Sequence, residues 1–312
     1  MGQELSYSPL NSSVEAFFAY LRRRGKAAGT ITRWSPELDR FVAWVADRGL
    51  YEIDAADLEL DFLADWEAAF RDRNGRPPAL NSTRAVVQAV RSFYAFMERF
   101  DLLVDGDGNS YRNPSLVLEL PVIPVRAELD WLRAEDDARL LACPMSARED
   151  VLIFTLRMTG LRLGESLALT NRDVNLGEGS ITVTTSKTIA GLRSIPISPE
   201  LRSHIDRWWA FTRREGLFQP DGPFLVTRNL TAMKPQYVEQ VVARVAWRAG
   251  LARRVTPHTL RRTFGSDLVN RGLRLEVVSR LLGHASTAIT EKAYARLEDA
   301  TVRAEMLAAL VA

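Results

Sequence analysis

The sequence predicts a mainly α protein with a small antiparallel β-sheet, organised as two domains. Apolar residues recur at helical spacing through the first hundred residues and again after residue 134. Two short segments, 180–185 and 192–197, instead alternate between apolar and polar residues around a turn at Ala190-Gly191, which predicts a β-hairpin. A chain of 312 residues is too long for one modest core, and a proline-bearing stretch separates its halves.

The N-terminal domain, residues 1–103, is predicted to be a four-helix unit. Its predicted helices cover residues 13–24, 30–48, 56–72 and 81–100. The first two end at Gly25 and Gly49, and an Asn-Gly-Arg-Pro-Pro break follows the third. In the third helix, the residues expected to face inward are Leu60, Phe62, Leu63, Trp66 and Phe70. The fourth begins with Asn-Ser-Thr, a sequence that favours a helix cap.

Residues 104–133 are predicted to be a linker that leads to a second domain, 134–312. Asp-Gly-Asp-Gly-Asn-Ser favours turns, and the prolines that follow favour an extended path. The second domain combines the hairpin with helices. Those helices are predicted over residues 134–142, 147–159, 163–169, 199–215, 235–249, 259–271, 275–282, 288–293 and 298–311.

Composition limits the class of protein. The chain is 46% apolar and 26% charged, as in folded globular proteins, and its single cysteine, Cys143, excludes an intrachain disulfide or a cysteine metal cluster. The formal net charge is only +2, so any case for a nucleic-acid partner depends on local basic clusters. No segment is long and apolar enough to span a bilayer, and the N-terminus lacks a signal pattern, so we expect a cytoplasmic protein.

Six residues in five short strings carry the chemistry that the sequence suggests. The strings are Thr-Gly-Leu-Arg162-Leu-Gly-Glu165, Ser-Lys187-Thr, His258-Thr-Leu-Arg261, Leu-Leu-Gly-His284 and Ala-Tyr294-Ala-Arg. A planar guanidinium binds two phosphate oxygens and keeps its proton. A phenol becomes a useful nucleophile only when neighbouring cations favour the phenolate. The set therefore favours attack on a phosphodiester by a protein nucleophile.

Each of these residues also has an ordinary structural interpretation. A lone arginine near a helix start commonly forms a surface salt bridge, a hairpin lysine is commonly solvated, and most helical histidines are structural. Only three histidines occur, and two of them, His258 and His284, fall inside the strings. His204 lies among apolar residues and is interpreted as a packing or surface residue.

In this order, and over nearly the whole chain, the motifs resemble the tyrosine recombinase (phage integrase) family. The resemblance implies that Tyr294 attacks the scissile phosphate to form a 3′-phosphotyrosyl bond and that Lys187 protonates the departing 5′-oxygen. It implies that Arg162, Arg261 and His284 bind the phosphate and that His258 assists proton transfer at the tyrosine. Neither a metal nor another cofactor is implied.

Two further features of the resemblance are the number of residues between His284 and Tyr294 and the ion-pair partner of Arg162. Family members commonly place the tyrosine nine residues after the Leu-Gly-His histidine, whereas this chain places it ten residues after. Glu165 is implied to hold Arg162 or a neighbouring helix in place through a buried ion pair.

The resemblance also implies a set of DNA contacts. The string from Asn81 to Met97 resembles the fourth helix of the family's DNA-clamping domain, and Arg262 stands where relatives often carry histidine. DNA contacts are predicted from Arg22, Arg23, Arg24, Lys26, Arg84, Arg91, Arg193 and Arg262. The alternative for such basic clusters is a solvated helix face.

The predicted function is site-specific recombination of double-stranded DNA by a homotetramer. The helix over 298–311 carries an apolar stripe, and relatives pass their last helix to a neighbouring protomer; packing on its own domain is the alternative. A type IB topoisomerase, which rejoins the same strands, and a catalytically silent DNA-binding protein are the competing functions. The sequence does not separate integration, excision, transposition and dimer resolution.

Overall fold

A computed structural model of the chain describes residues 9–48, 53, 57–72, 74–105, 107–122, 131–185, 191–284, 286–288 and 290–291. The chain divides into two compact units, Met1–Arg126 and Ala127–Ala312, with the division inside the predicted linker. The predicted fold class is confirmed: the described residues are mainly helical, with one small antiparallel sheet. None of their helices is long and apolar enough to cross a bilayer.

The N-terminal unit is helical, and its core is rich in aromatic side chains. Its α-helices in the described ranges are α1 (Pro9–Arg23), α2 (Ala28–Asp47), α3 (Leu63–Ala69) and α4 (Leu80–Arg99). Helix α4 packs against α2 and α1, and Phe17, Phe41 and Phe93 are almost wholly buried between these helices. Helix α1 begins at Pro9, four residues before the predicted start, because the fixed φ of proline suits a first helical turn.

The third helix differs from its prediction. Residues Asp57–Phe62 form a π-helical turn, and only Leu63–Ala69 continue as an α-helix. The buried residues are Leu58, Phe62 and Trp66, whereas Leu60, which was predicted to face inward, is 69% exposed. The three buried side chains are four residues apart and share one face, whereas Leu60 is two residues from both Leu58 and Phe62 and lies about half a turn away, on the opposite face.

The second unit is built around one almost fully buried helix. Its α-helices in the described ranges are α5 (Ala134–Leu141), α6 (Ala147–Thr159), α7 (Leu163–Ala168), α8 (Pro199–Arg214), α9 (Pro235–Arg248), α10 (Pro257–Asn270) and α11 (Leu275–Leu282). Helix α6 packs against α8, α10 and α9. Because it is enclosed on several sides, its sequence is apolar around most of its circumference.

The sheet has the order β1 (Val174–Asn175), β2 (Ser180–Val183) and β3 (Arg193–Pro196), all antiparallel. Ile181 on β2 pairs with Ile195 on β3, and both side chains are buried. Strand β1 was not predicted, because two residues are too few to show an alternating pattern.

Two predicted helix positions bear directly on the site. Helix α10 begins at Pro257, not residue 259, because Thr256 caps it and proline suits the first position. His258 therefore lies within the first turn of the helix. Of the predicted helix 288–293, residues 289, 292 and 293 lie outside the described residues, and the predicted helix 298–311 lies wholly outside them.

Candidate active site

Helix α6 ends at Gly160, two residues before the first predicted catalytic residue, Arg162. Gly160 has a φ of +61°, the left-handed conformation that ends many helices. A Cβ atom at this position would overlap the ring of Phe264 and lie 2.9 Å from Leu282. The glycine before Arg162 is therefore required both by the backbone conformation and by close packing.

Arg162 stands at the start of α7 and is held there by Glu165. The backbone N–H of Arg162 donates to Oε2 of Glu165 at 2.9 Å, and its Nη1 donates to Oε1 at 2.7 Å. The carboxylate near the first turn of α7 is also favoured by the helix dipole. Glu165 thus fixes both the backbone and the side chain of Arg162.

Glu165 is buried, with only 5% of its side chain exposed, and it also accepts a hydrogen bond from Arg193 Nη2 at 2.9 Å. Burial by itself raises the pKa of this carboxyl group. Hydrogen bonds from Arg193 and Arg162 outweigh burial and hold the pKa below its ordinary value. The carboxylate is therefore ionised and bridges two guanidiniums.

Three arginines from different elements converge on the C-terminal end of α11. The contacts are Arg193 Nε to the Leu281 oxygen at 2.6 Å, Arg261 Nη2 to the Leu282 oxygen at 2.5 Å and Arg162 Nη2 to the Gly283 oxygen at 2.7 Å. The last carbonyls of a helix lack intrahelical partners and carry partial negative charge. We call these three oxygens the carbonyl cluster. Their partial negative charge attracts the three guanidiniums to one point.

His284 follows the carbonyl cluster directly. Its Nδ1 lies 2.7 Å from Oγ1 of Thr290, which is fully buried. The pKa of His284 is lowered to about 4. Burial is the main cause, and nearby positive charges add to it: Arg261, Arg162, Arg193 and His258. At neutral pH the imidazole is uncharged.

His258 lies on the first turn of α10. Nε of Arg262, one turn later, donates to Nε2 of His258 at 2.9 Å. Nε2 is thus the acceptor nitrogen, and in the neutral ring the hydrogen resides on Nδ1.

Arg162, His258 and Arg261 line one cavity of about 390 Å³. Arg261 is 5% exposed, and its Nη1 donates to the Gly160 oxygen at 2.5 Å. Arg162 is more accessible, with 40% of its side chain exposed. The wall also contains one carboxylate, Glu239, but its two guanidiniums give it a net positive charge that favours an anion such as a phosphate group.

Two of the six predicted catalytic residues, Lys187 and Tyr294, lie outside the described residues. In the part of the chain that the structure describes, no group of three or more His, Cys, Asp or Glu residues is arranged to hold a metal ion. His204 stacks on Phe154 and contacts Asp150 through Nδ1 at 2.7 Å, as a packing residue does.

The predicted DNA contacts of the N-terminal unit fall into two groups. Arg22, Arg23, Arg24 and Lys26 are exposed around the break after α1. Arg84 and Arg91 on α4 are half-buried instead. They donate through Nη1 to the oxygens of Pro121 at 3.0 Å and Leu118 at 2.9 Å. These two arginines therefore tie the segment after α4 to that helix.

Arg193 does not match the DNA-facing role predicted for it, because only 4% of its side chain is exposed. Its guanidinium bonds Glu165, Leu281 and Gly191. Sequence reasoning placed Arg193 on a hairpin and assigned it to DNA. In the structure Arg193 shares a face of β3 with the buried Ile195, two residues later, and the end of α11 contacts it there.

Sequence reasoning also missed Thr290. A threonine six residues after a histidine forms no distinctive motif, so its contact with His284 emerged only from the fold.

Residues 130–301, more than half of the chain, match the phage integrase family. Tyrosine recombinase XerA of Pyrococcus furiosus is 28% identical over 308 residues, covering 96% of each chain. Tyrosine recombinase XerD of Pseudomonas aeruginosa is 28% identical over 300 residues, covering 90% of this chain and 92% of the relative.

Solved structures share the fold. The XerH site-specific recombinase bound to a palindromic difH substrate has a TM-score of 0.67 at 22% identity, covering 89% of this chain and 80% of that one. A lambda integrase dimer bound to a COC′ core site has a TM-score of 0.64 at 17% identity, covering 91% of this chain and 76% of that one.

Proposed function

The chain belongs to the phage integrase family and is a site-specific tyrosine recombinase, and we propose that Tyr294 is its nucleophile. DNA is the partner, since the XerH and lambda integrase structures both contain recombination-site DNA. Tyr294 attacks the scissile phosphorus, and the DNA strand becomes joined to the phenolic oxygen through its 3′-phosphate. The bond to the 5′-oxygen breaks, and that oxygen leaves with a proton from Lys187.

The convergence of Arg162 and Arg261 on the carbonyl cluster beside His284 is the observation that carries this proposal. Phosphoryl transfer places negative charge on the non-bridging oxygens, and pre-positioned cations stabilise it without reorganisation. The described protein contacts engage two of the five N–H donors of Arg162. Its other donors are directed to the phosphate in this proposal.

The neutral His284 is proposed to donate a hydrogen bond to a phosphate oxygen. For Nε2 to donate, the hydrogen of the neutral ring must reside there, and Nδ1 must accept. The hydroxyl of Thr290, 2.7 Å from Nδ1, then donates to it. The Thr290 hydroxyl is thus a suitable partner for the tautomer that the proposal requires.

His258 is proposed to accept the phenolic proton of Tyr294. Its Nε2 carries no hydrogen, because this atom accepts from Arg262 Nε at 2.9 Å. Arg262 has to release Nε2 before the phenolic proton can be accepted there, and its guanidinium is then available to DNA. In the rejoining step, the 5′-hydroxyl of a partner strand attacks the phosphotyrosine, and the proton returns to Tyr294.

We also propose that the enzyme acts as a tetramer bound to two recombination sites. Its proposed location is the cytoplasm, with the nucleoid DNA. The apolar stripe predicted over residues 298–311 supports this assembly, because an amphipathic helix needs a surface to cover its apolar face.

Suicide DNA substrates that trap the covalent product test the chemistry. Tyr294→Phe retains the ring and removes only the nucleophilic oxygen, so it should bind DNA normally and form no covalent adduct. Tyr237→Phe, at a tyrosine that is 39% exposed on α9, is the matched control and should form the adduct. An adduct in Tyr294→Phe would place the nucleophile elsewhere.

The proton donor is tested with the same variants on a second substrate. Lys187→Ala should cleave an ordinary substrate poorly and recover on a 5′-phosphorothiolate substrate, because sulfur leaves without a proton. Failure of the sulfur substrate to rescue Lys187→Ala would assign the acid role to another group.

A further inference from the structure

Arg193 and Glu165 form a buried ion pair next to the proposed phosphate site. The exposed fractions of their side chains are 4% and 5%, and Nη2 of Arg193 lies 2.9 Å from Oε2 of Glu165. Burying two charges is costly unless the geometry is good and further hydrogen bonds satisfy them. Here further hydrogen bonds satisfy both partners, since Arg193 also donates to two backbone oxygens and Glu165 also accepts from Arg162.

The guanidinium of Arg193 joins three separate parts of the second unit. Besides Glu165 on α7, it donates from Nε to the Leu281 oxygen at the end of α11, at 2.6 Å, and from Nη1 to the Gly191 oxygen before β3, at 2.8 Å. A lysine at this position has a single nitrogen and no planar fork, so it does not bond all three acceptors in this geometry.

The turn before His284 is shaped around this guanidinium. Gly283 has a φ of +65°, and a Cβ atom there would lie 2.7 Å from Nη1 of Arg193 and 3.1 Å from the Cα of Gly191. The glycine of the Leu-Gly-His string therefore leaves the space that Arg193 occupies.

Glu165 links Arg193 to Arg162. The same carboxylate accepts from Arg193 through Oε2 and from the Arg162 side chain through Oε1 at 2.7 Å. Without Arg193, Glu165 has one fewer donor in a buried position, and its hold on Arg162 weakens. The Leu281 carbonyl likewise loses the contact that fixes the turn leading into His284.

We propose that Arg193 is a positioning residue for strand cleavage and not a DNA contact: it fixes Glu165 and the turn 281–283, so that Arg162 and His284 remain aimed at the phosphate. The inference rests on the proposed role of Arg162 at the scissile phosphate. Arg193 then affects the rate of cleavage at saturating DNA and does not contribute directly to the affinity for DNA.

Single-turnover cleavage of suicide DNA, together with DNA affinity as a function of salt, separates the two roles. Arg193→Gln should lower the cleavage rate at saturating DNA by roughly 10²-fold, the scale expected when reacting groups are misplaced by about 1 Å. Its Kd and the salt dependence of Kd should match wild type. Arg202→Ala, whose side chain is 50% exposed on α8, is the control and should leave the cleavage rate unchanged.

A DNA contact produces the opposite result. If Arg193 binds a phosphate, Arg193→Gln should weaken binding and reduce the slope of log K against log salt by about 1, with normal cleavage at saturating DNA. That result overturns the proposal.

A double-mutant cycle with Glu165→Gln tests the route through Glu165, and a wild-type Kd for DNA in each variant excludes misfolding. If Arg193 acts through Glu165, the double variant should lose no more cleavage than the more impaired single variant, whereas independent effects multiply. Arg193→Lys, which retains the positive charge, should recover only part of the rate. Multiplied losses, or full recovery with lysine, contradict the proposal.

The outcome for wild type separates this inference from the proposed chemistry. If wild type forms a Tyr294 adduct and Arg193→Gln cleaves at the wild-type rate, only the positioning role is wrong. If wild type forms no adduct, the proposed chemistry itself is wrong.

Discussion

Arg162 and Arg261 both donate to the carbonyl cluster, but they differ in accessibility. Arg162 has 40% of its side chain exposed, whereas Arg261 is 5% exposed and bonds carbonyl oxygens of Gly160 and Leu282. Arg162 therefore combines protein contacts with an open face, while Arg261 also connects α10 to the ends of α6 and α11. The two arginines of the motif contribute unequally to the stability of the fold.

Acid should destabilise the protein through His284. The folded-state pKa is about 4, below the ordinary 6.5, so both folded and unfolded chains are neutral at this residue above pH 6.5. As pH falls from 6.5 toward 4, the unfolded chain takes up the proton first, and the free energy of unfolding falls. Urea unfolding at pH 7.5 and pH 4.5 should show a smaller acid loss for His284→Gln than for wild type.

Other groups titrate in the same range in both proteins, so the difference between them isolates His284. Equal acid losses would show that the pKa of His284 is not lowered in the folded protein.

Helix ends do more to build this site than helix faces. The carbonyl cluster is the end of α11, Arg162 stands at the start of α7, and His258 lies on the first turn of α10. Unpaired backbone groups at helix ends need partners, and here side chains from other elements supply them. Elements that share no continuous face are thereby joined at one point.

Gly283→Ala and Gly272→Ala should separate backbone strain from the clash with Arg193. Both glycines follow a helix with positive φ, +65° and +78°, so alanine should cost each about 1–2 kcal/mol in the left-handed conformation. A Cβ on Gly272 meets nothing within 4 Å, whereas one on Gly283 meets the guanidinium of Arg193. Gly283→Ala should therefore lose more stability and also lose cleavage activity.

Urea unfolding and suicide-substrate cleavage measure the two effects. If both variants lose the same stability and cleave equally well, the close approach of Arg193 to residue 283 has no energetic consequence.

DNA binding must depend on local clusters of basic residues, because the formal net charge of the whole chain is only +2. Arg22, Arg23, Arg24 and Lys26 form an exposed basic group in the N-terminal unit. Such a group adds affinity that falls with salt and carries no sequence preference by itself. Base readout has to come from other side chains.

Deleting residues 298–312 should separate DNA binding from assembly. The segment carries Val302, Met306 and Leu310 at helical spacing and lies outside the described residues. If it docks on a neighbouring protomer, the deletion should leave binding to one site intact and reduce cooperative binding to two sites and strand exchange. Gel-shift titrations on one-site and two-site DNA measure this.

The melting temperature of the deleted protein supplies the control. Unchanged cooperativity with a lower melting temperature would mean that the segment packs on its own domain.

Local sequence patterns were enough to predict the fold class and to identify the family from the order of its motifs. Helical periodicity and the hairpin pattern are local, so the elements around Arg162, His258 and Arg261 could be predicted from neighbouring residues alone. Helix boundaries failed where local chemistry departed from an ideal α-helix, as in the π turn at Asp57–Phe62 and at the Thr-Pro start of α10.

The contacts of each side chain, in contrast, could be read only from the folded chain. That Arg193 is buried, that Glu165 bridges two guanidiniums and that Thr290 meets His284 all depend on segments far apart in sequence or on a turn without a recognisable pattern. An arginine looks the same in sequence whether it faces DNA or a carbonyl group. The difference is made by the desolvated end of α11, whose unpaired oxygens attract the guanidiniums and exist as a binding surface only in the folded protein.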